Sequence, residues 1–326
     1  MRKLLTRALD RVTLRIASSF RADGAADQTQ LIEAEKWLRD GSFFFDFDEV
    51  TPELRFDGGG EEFEFTSPVS TRWPENNRVF GRLFRAGPHW QSRPSVILLH
   101  GWSAELQYRW QFRFLGKKLA RSGVNAAMFE LPYHGRRTPR APGAIQNFIS
   151  HDLLHMLEAA RQSLADARAL LSWLAAQGSP NVGVWGVSLG AWLAGLLICG
   201  KRPVNSGGKA RAGFAVLLTP IANMAQAIEE LPFCESIRCR VQGTSLPLDR
   251  LNLAAYSPVL PPENILIIEG EHDLFAPACT VEQLWRAWGQ PQIWRLPHGH
   301  ISVLLSPLVS RRVVKWIAQQ QRRDTD

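Results

Sequence analysis

Residues Gly183–Gly195 read GVWGVSLGAWLAG, an apolar, β-branched run that leads into a single serine, Ser188. Gly186 stands two places before that serine and Gly190 two places after it. The run up to Val187 has the composition of a buried strand, and the residues from Leu189 have that of a helix. A strand that passes straight into a helix needs a sharp turn, and residues without a Cβ let the two approach closely. A serine on such a turn is held in a strained backbone conformation and pushed out above the sheet. The pattern G-x-S-x-G alone is only moderately specific; the strand before it and the helix after it supply the context.

Outward from this segment, short apolar runs alternate with long helical patterns. Strands are expected at 95–99, 125–130, 182–187, 214–218, 264–269 and 292–296. Helices are expected at 107–121, 152–177, 189–199, 280–288 and 302–320. Asp152 suits the first turn of its helix. Alternation of this kind predicts a mostly parallel sheet covered on both faces. Upstream, EEFEFTS and NRVFGRLFRA flank a turn and read as an antiparallel pair. DGGGEE at 57–62 marks the best boundary, giving a helical extension over 1–58 and a main domain over 59–326. Residues 219–258 break the rhythm, with a short helical pattern at 221–231, and are expected to form a small cap over a pocket.

In an open parallel sheet, reacting groups gather at the carboxyl ends of strands. A lone serine hydroxyl is a weak nucleophile and needs a base within reach, itself oriented by a carboxylate. GEHDLFAP follows one expected strand and places Asp273 on its loop. PHGHISVL follows the last and places His298 and His300 there. Of the two histidines His300 is preferred, because a glycine precedes it and a helix begins after it. The order Ser188, Asp273, His300 is the one this architecture uses. Glu269 and Glu271 come too early on the loop to serve as the acid, and His272 reads as a loop residue. A histidine pair so close also raises a metal site, but no further ligands stand at matching spacing, so neither a metal nor a cofactor is expected.

The motifs HGW, ELPYHGRR, GVSLG, GEHDLFAP and HGHIS together resemble the α/β-hydrolase superfamily, from about residue 60 to the end. The resemblance implies a mostly parallel central sheet with helices on both faces, here with an N-terminal helical extension and a small cap insertion. It carries the acid role onto Asp273, three residues after Gly270, and the base role onto His300, directly after Gly299. It also assigns one oxyanion-hole N–H to Trp102; the other is that of Leu189, at the start of a helix. His100 reads as structural. Arg136 and Arg137 border the same crevice and read first as packing or surface residues, second as partners of an acidic substrate group. An aromatic-walled pocket drawn from Trp102, Trp185 and Trp192 is a further expectation, set against plain core packing.

The total charge is +7 over 326 residues, and it sits at the two ends. Residues 1–22 carry six Arg or Lys against one acid, and 311–323 carry five against none, leaving the rest net acidic. That distribution does not suit a nucleic-acid-binding body. The four cysteines have no CxxC spacing, so a reduced, cytoplasmic setting is expected. No run approaches the roughly 18 apolar residues of a membrane span.

In the first segment Leu4, Leu5, Ala8, Leu9, Val12, Ile16 and Phe20 share one helical face, and Lys3, Arg7, Arg11 and Arg15 oppose it, with Leu14 as a misfit. Two readings follow: a helix docked on the body with its arginines in water, or peripheral contact with a membrane surface through residues 1–22. Under the second, removing the segment lowers activity on vesicles and spares soluble esters.

The expected activity is hydrolysis of a carboxylic ester or thioester, small-molecule or lipid. Acyl transfer, peptidase action and a non-catalytic binding scaffold are the alternatives. Oligomeric state and acyl-chain length are not legible.

Overall fold

The computed structural model describes residues 2–18, 28–41, 43–46, 48, 50–102, 107–200 and 211–323. Two helices come first, α1 (Arg2–Ser18) and α2 (Gln28–Arg39). The sheet is built from β1 (Arg55–Phe56), β2 (Glu62–Thr66), β3 (Arg78–Phe84), β4 (Ser95–Leu99) and β5 (Asn125–Phe129), then β6 (Val182–Val187), β7 (Ala212–Leu218), β8 (Ile265–Gly270) and β9 (Gln292–Leu296). Their order across the sheet is β1-β2-β3-β5-β4-β6-β7-β8-β9. From β5 to β9 every pairing is parallel, while β1, β2, β3 and β5 pair antiparallel. The expected pair at 62–66 and 78–84 is present.

Both faces are covered. Helices α3 (Arg113–Arg121) and α10 (Pro307–Arg323) pack on the side carrying Val96, Leu98, Trp185, Val187 and Val216. Helices α4 (Leu153–Ala176), α5 (Leu189–Leu197) and α8 (Ala278–Ala287) pack on the side carrying Ile97, Leu99, Val184 and Leu217. Alternate residues of one strand thus enter different cores, which is why these strands read as continuous apolar runs. Asp152 does more than sit near the start of α4: its carboxylate caps the helix, accepting from the N–H of Leu154 at 2.9 Å and His155 at 3.3 Å.

Two sequence expectations shift. The final helix is two: α9 (His300–Leu304) and α10, broken at Leu305–Ser306 because Pro307 supplies no N–H and disfavours a helical residue before it. The segment at 107–121 opens with a π-helical stretch, Gln107–Phe112, before α3. Between β7 and β8 lie α6 (Met224–Glu230), α7 (Glu235–Val241) and short 3-10 turns. No helix among the described residues is long and apolar enough to cross a membrane.

The sheet order reverses at β4, which lies between β5 and β6. Leu99 of β4 pairs with Gly186 of β6, and Gly270 of β8 pairs with Leu296 of β9. Their following loops therefore emerge at one edge of the sheet, at a switch point where parallel sheets leave a crevice.

Candidate active site

Ser188 joins β6 to α5 with φ 55° and ψ −116°, a left-handed conformation costly for a residue with a Cβ, by roughly 1–3 kcal/mol. Its surroundings hold it there. The Ser188 N–H donates to the Leu218 carbonyl at 2.9 Å, and its own carbonyl accepts from Ala191 at 2.9 Å and Trp192 at 3.1 Å. A Cβ on Gly186 would lie 2.1 Å from the Gly190 oxygen, and one on Gly190 would lie 2.2 Å from the Leu99 oxygen. Gly186 lets strand and helix close on each other; Gly190 lets α5 press on the end of β4.

His300 opens α9, and its Nε2 lies 2.8 Å from Ser188 Oγ. Its Nδ1 lies 2.7 Å from Asp273 Oδ2. The other oxygen of Asp273 accepts from the N–H of Phe275 at 2.7 Å and of Ala276 at 2.8 Å, which fixes the carboxylate. An ionised carboxylate only accepts, so the facing Nδ1 carries the proton and Nε2 is left to accept from the serine hydroxyl. His300 and Asp273 are both buried. The three side chains expected to meet are thus placed in one hydrogen-bonded line. His298 is not in it: its Nδ1 faces Ser302 Oγ at 3.2 Å.

His100, at the end of β4, pins the neighbouring loop. The Leu131 N–H donates to its Nε2 at 3.0 Å, so its Nδ1 holds the proton and donates to the Gly101 oxygen at 2.8 Å. Burial, with His134 adjacent, pushes His100 down to about 3, so it stays a neutral imidazole. In a trans peptide the N–H points opposite to the carbonyl. Fixing the Gly101 carbonyl toward His100 therefore turns the Trp102 N–H away from it. Gly101, Trp102, Ser188, Leu189 and His300 all border one cavity.

That cavity measures about 440 Å³, and its walls are largely apolar. Trp102 stacks on Phe233 at 4.5 Å between ring centroids, and Phe275 stacks on the His300 ring at 4.6 Å. Leu231 and Phe233, between β7 and β8, form one wall, and Ile16 of α1 and Leu304 of α9 form another. Of the three tryptophans considered for the wall, only Trp102 is there. Trp185 and Trp192 are fully buried on opposite faces of the sheet, Trp192 donating to the Leu251 oxygen at 3.1 Å. Sequence reading had no signal for Phe233 or Phe275, whose place depends on how two loops fold back.

Arg137 and Arg136 are engaged elsewhere. Arg137 is fully buried, paired with Asp166 at 2.8 Å and donating to the Glu130 and Asn76 oxygens. Arg136 lies between Glu130 at 3.4 Å and Glu62 at 3.6 Å. Among the described residues no group of three or more His, Cys, Asp or Glu is placed to hold a metal ion.

One residue was missed entirely. Asp10 of α1 is fully buried; its Oδ2 accepts from the N–H of His300 at 2.9 Å and of Leu274 at 3.2 Å, and its Oδ1 accepts from Ile301 at 3.0 Å. It ties the loop of Asp273 to the helix of His300. Burial raises its pKa, opposed by the hydrogen bonds from Ile301 and His300. The signal lay in the first segment: Asp10 is its single acid, on a stripe with Thr6 and Ala17 whose residues are all buried.

Helix α1 is docked by that stripe, with Leu14 packed partly inward. Leu4, Leu5, Val12 and Ile16 face out and are exposed. Phe20 lies outside the described residues.

The arrangement resembles known folds and sequences. Two solved structures superpose over nearly the whole chain. An acetyl xylan esterase from Paenibacillus sp. R4 gives a TM-score of 0.59 at 12% identity, covering 93% of this chain and 98% of that one. Acetyl xylan esterase 1 from Thermoanaerobacterium sp. JW/SL YS485 gives 0.60 at 12%, covering 94% and 98%. At such identities the likeness is one of fold. In sequence, the chain is 30% identical over 263 residues to Uncharacterized protein Rv2627c of Mycobacterium tuberculosis (strain ATCC 25618 / H37Rv), covering 77% of this chain. Uncharacterized protein MT2702 of strain CDC 1551 / Oshkosh matches equally, and the chain spans 60% of the length of either relative. The family described as Alpha/beta hydrolase domain containing 18 matches residues 60–235, more than half of the chain. With that match and the nine-stranded, mostly parallel sheet, the chain belongs to this family of the α/β-hydrolase superfamily.

Proposed function

We propose that the protein is a serine hydrolase that cleaves a carboxylic ester or thioester with an apolar acyl group. The observation that carries the reading is the unbroken line from Ser188 Oγ through His300 to Asp273, with contacts of 2.8 and 2.7 Å. Family membership supports it. The substrate's acyl part is assigned to the apolar cavity, where burial of each methylene contributes about 0.8 kcal/mol.

In the first half-reaction Ser188 Oγ adds to the carbonyl carbon while its proton passes to His300 Nε2. Asp273 keeps the imidazole oriented and stabilises its charged form. The N–H groups of Leu189 and Trp102 receive the oxyanion; losing one such donor costs about 2.7–4 kcal/mol of barrier. Collapse expels the alcohol or thiol, which takes the proton from His300. Water then gives a proton to His300 and adds to the acyl carbon. The second collapse releases the acid and returns the proton to Ser188. Asp10 acts in this reading as a positioning residue, setting the backbone of His300 without touching substrate.

The test is turnover of a short-chain p-nitrophenyl ester. Ser188→Ala is expected to lose on the order of 10⁴-fold or more in kcat with its circular dichroism unchanged. A folded Ser188→Ala variant with wild-type turnover contradicts the proposal.

A further inference from the structure

A surface helix normally buries its apolar arc and turns its charges to water. Helix α1 turns most of its charges to water but leaves its apolar arc there too. Its inward stripe is the small and polar set Thr6, Asp10 and Ala17, while Leu5 is 64% and Val12 54% exposed. Leu4 and Leu9 extend the same outward arc. Lys3, Arg11 and Arg15 are exposed on the same helix. The helix's single acid, Asp10, is spent inside on the backbone of His300 and Ile301. The outward side of α1 is therefore apolar and cationic, with no negative charge.

This side continues around the cavity mouth. Ile16 lines the cavity and is itself exposed, and Leu305, exposed, directly follows the lining residue Leu304. The Gln111 side chain donates to the Leu304 carbonyl, and its chain neighbour Trp110 is exposed. Exposed apolar side chains gathered on a helix that borders a cavity mouth mark an interaction site.

We propose that the outer face of α1, with Leu305 and Trp110, docks on an anionic lipid bilayer and sets the cavity mouth against it. An apolar arc flanked by Lys and Arg matches such a surface on both counts, burying the leucines at the acyl boundary and pairing cations with lipid phosphates. A second copy of the chain fits less well, because a self-complementary contact would set the cations of α1 near those of its mate. The contact is peripheral, since α1 has charges along its length. It does not depend on Ser188.

The experiment is co-sedimentation of the full chain with phosphatidylcholine vesicles, with and without phosphatidylglycerol. Wild type and Ser188→Ala are expected to bind only the anionic vesicles, and more weakly as salt rises. Arg11→Gln with Arg15→Gln is expected to bind about thirtyfold more weakly, and Leu5→Gln with Val12→Gln at least tenfold more weakly. All four side chains lie outside the cavity, so both double variants keep wild-type turnover of a soluble short-chain ester. Absence of binding to anionic vesicles, or binding by both double variants as tight as that of wild type, overturns the proposal. So does a wild-type dimer in sedimentation velocity that Leu5→Gln with Val12→Gln breaks, which would make a second copy the occupant. Failure of the triad reading shows separately, as turnover that survives in Ser188→Ala.

Discussion

Asp10 and His300, 290 positions apart, are joined by a hydrogen bond of 2.9 Å from the His300 N–H to the Asp10 carboxylate. The same oxygen holds Leu274, next to Asp273, so one carboxylate positions both residues that the proposed mechanism uses as base and acid. Replacing it should misplace the imidazole by a fraction of an ångström without altering the substrate cavity. Asp10→Ala is expected to lower kcat about a hundredfold with KM nearly unchanged. Asp10→Asn retains an accepting oxygen and should recover part of that loss. Steady-state kinetics check this, and a loss confined to KM, or none, would contradict it. The same contact revises the sequence expectation for residues 1–22: their removal should impair soluble esters as well as vesicle-bound ones.

Gly190 has no room for a methyl group, with the Leu99 oxygen 2.2 Å from where its Cβ would lie. Gly190→Ala must push α5 off the end of β4. A stability loss of about 3 kcal/mol is expected in urea denaturation, together with loss of turnover. An unchanged midpoint would show that the elbow is not held by close approach.

The Arg137–Asp166 pair is fully buried and separate from the cavity. Arg137→Met leaves the Asp166 carboxylate buried without its cation, at a cost of about 3–5 kcal/mol. Arg137→Met with Asp166→Leu should regain most of that stability. KM of the folded fraction should not change. A KM effect without a stability effect would instead assign Arg137 to substrate.

Burial lowers three histidines: His100 to about 3, and His134 and His155 to about 4. Each is neutral when folded but protonates near its ordinary value of about 6.5 when unfolded. Between those values the unfolded chain binds more protons, so stability falls as pH falls, by about 1.4 kcal/mol per pH unit for each histidine. Buried carboxyls with raised pKa, among them Glu130 and Asp166, act in the opposite sense. The thermal midpoint should therefore decline more steeply from pH 6.5 to 4.5 in wild type than in His134→Asn. Equal slopes would show that His134 is not held neutral.

How much was legible in the sequence follows from how local each signal is. The strands at 95–99, 182–187 and 292–296 lie where the sequence places them: the first two are buried on both faces and leave continuous apolar runs, and the last is an edge strand whose alternate residue Trp294 is the buried one. Ser188, Asp273 and His300 could be named because each follows such a strand. The break at Pro307 was also readable and was passed over. Asp10 and Phe233 were beyond reach: their roles arise from contacts with segments far away in the chain, which no periodicity encodes. The inverted docking of α1 belongs with them, since the pattern shows two faces but not which one the body takes.

The most direct test of the triad is to locate the covalent adduct formed with a fluorophosphonate, by peptide mass spectrometry on the full chain. The adduct is predicted on Ser188 alone, forming slowly in His300→Ala and not at all in Ser188→Ala. An adduct on another residue, or equal labelling of Ser188→Ala, would contradict the account.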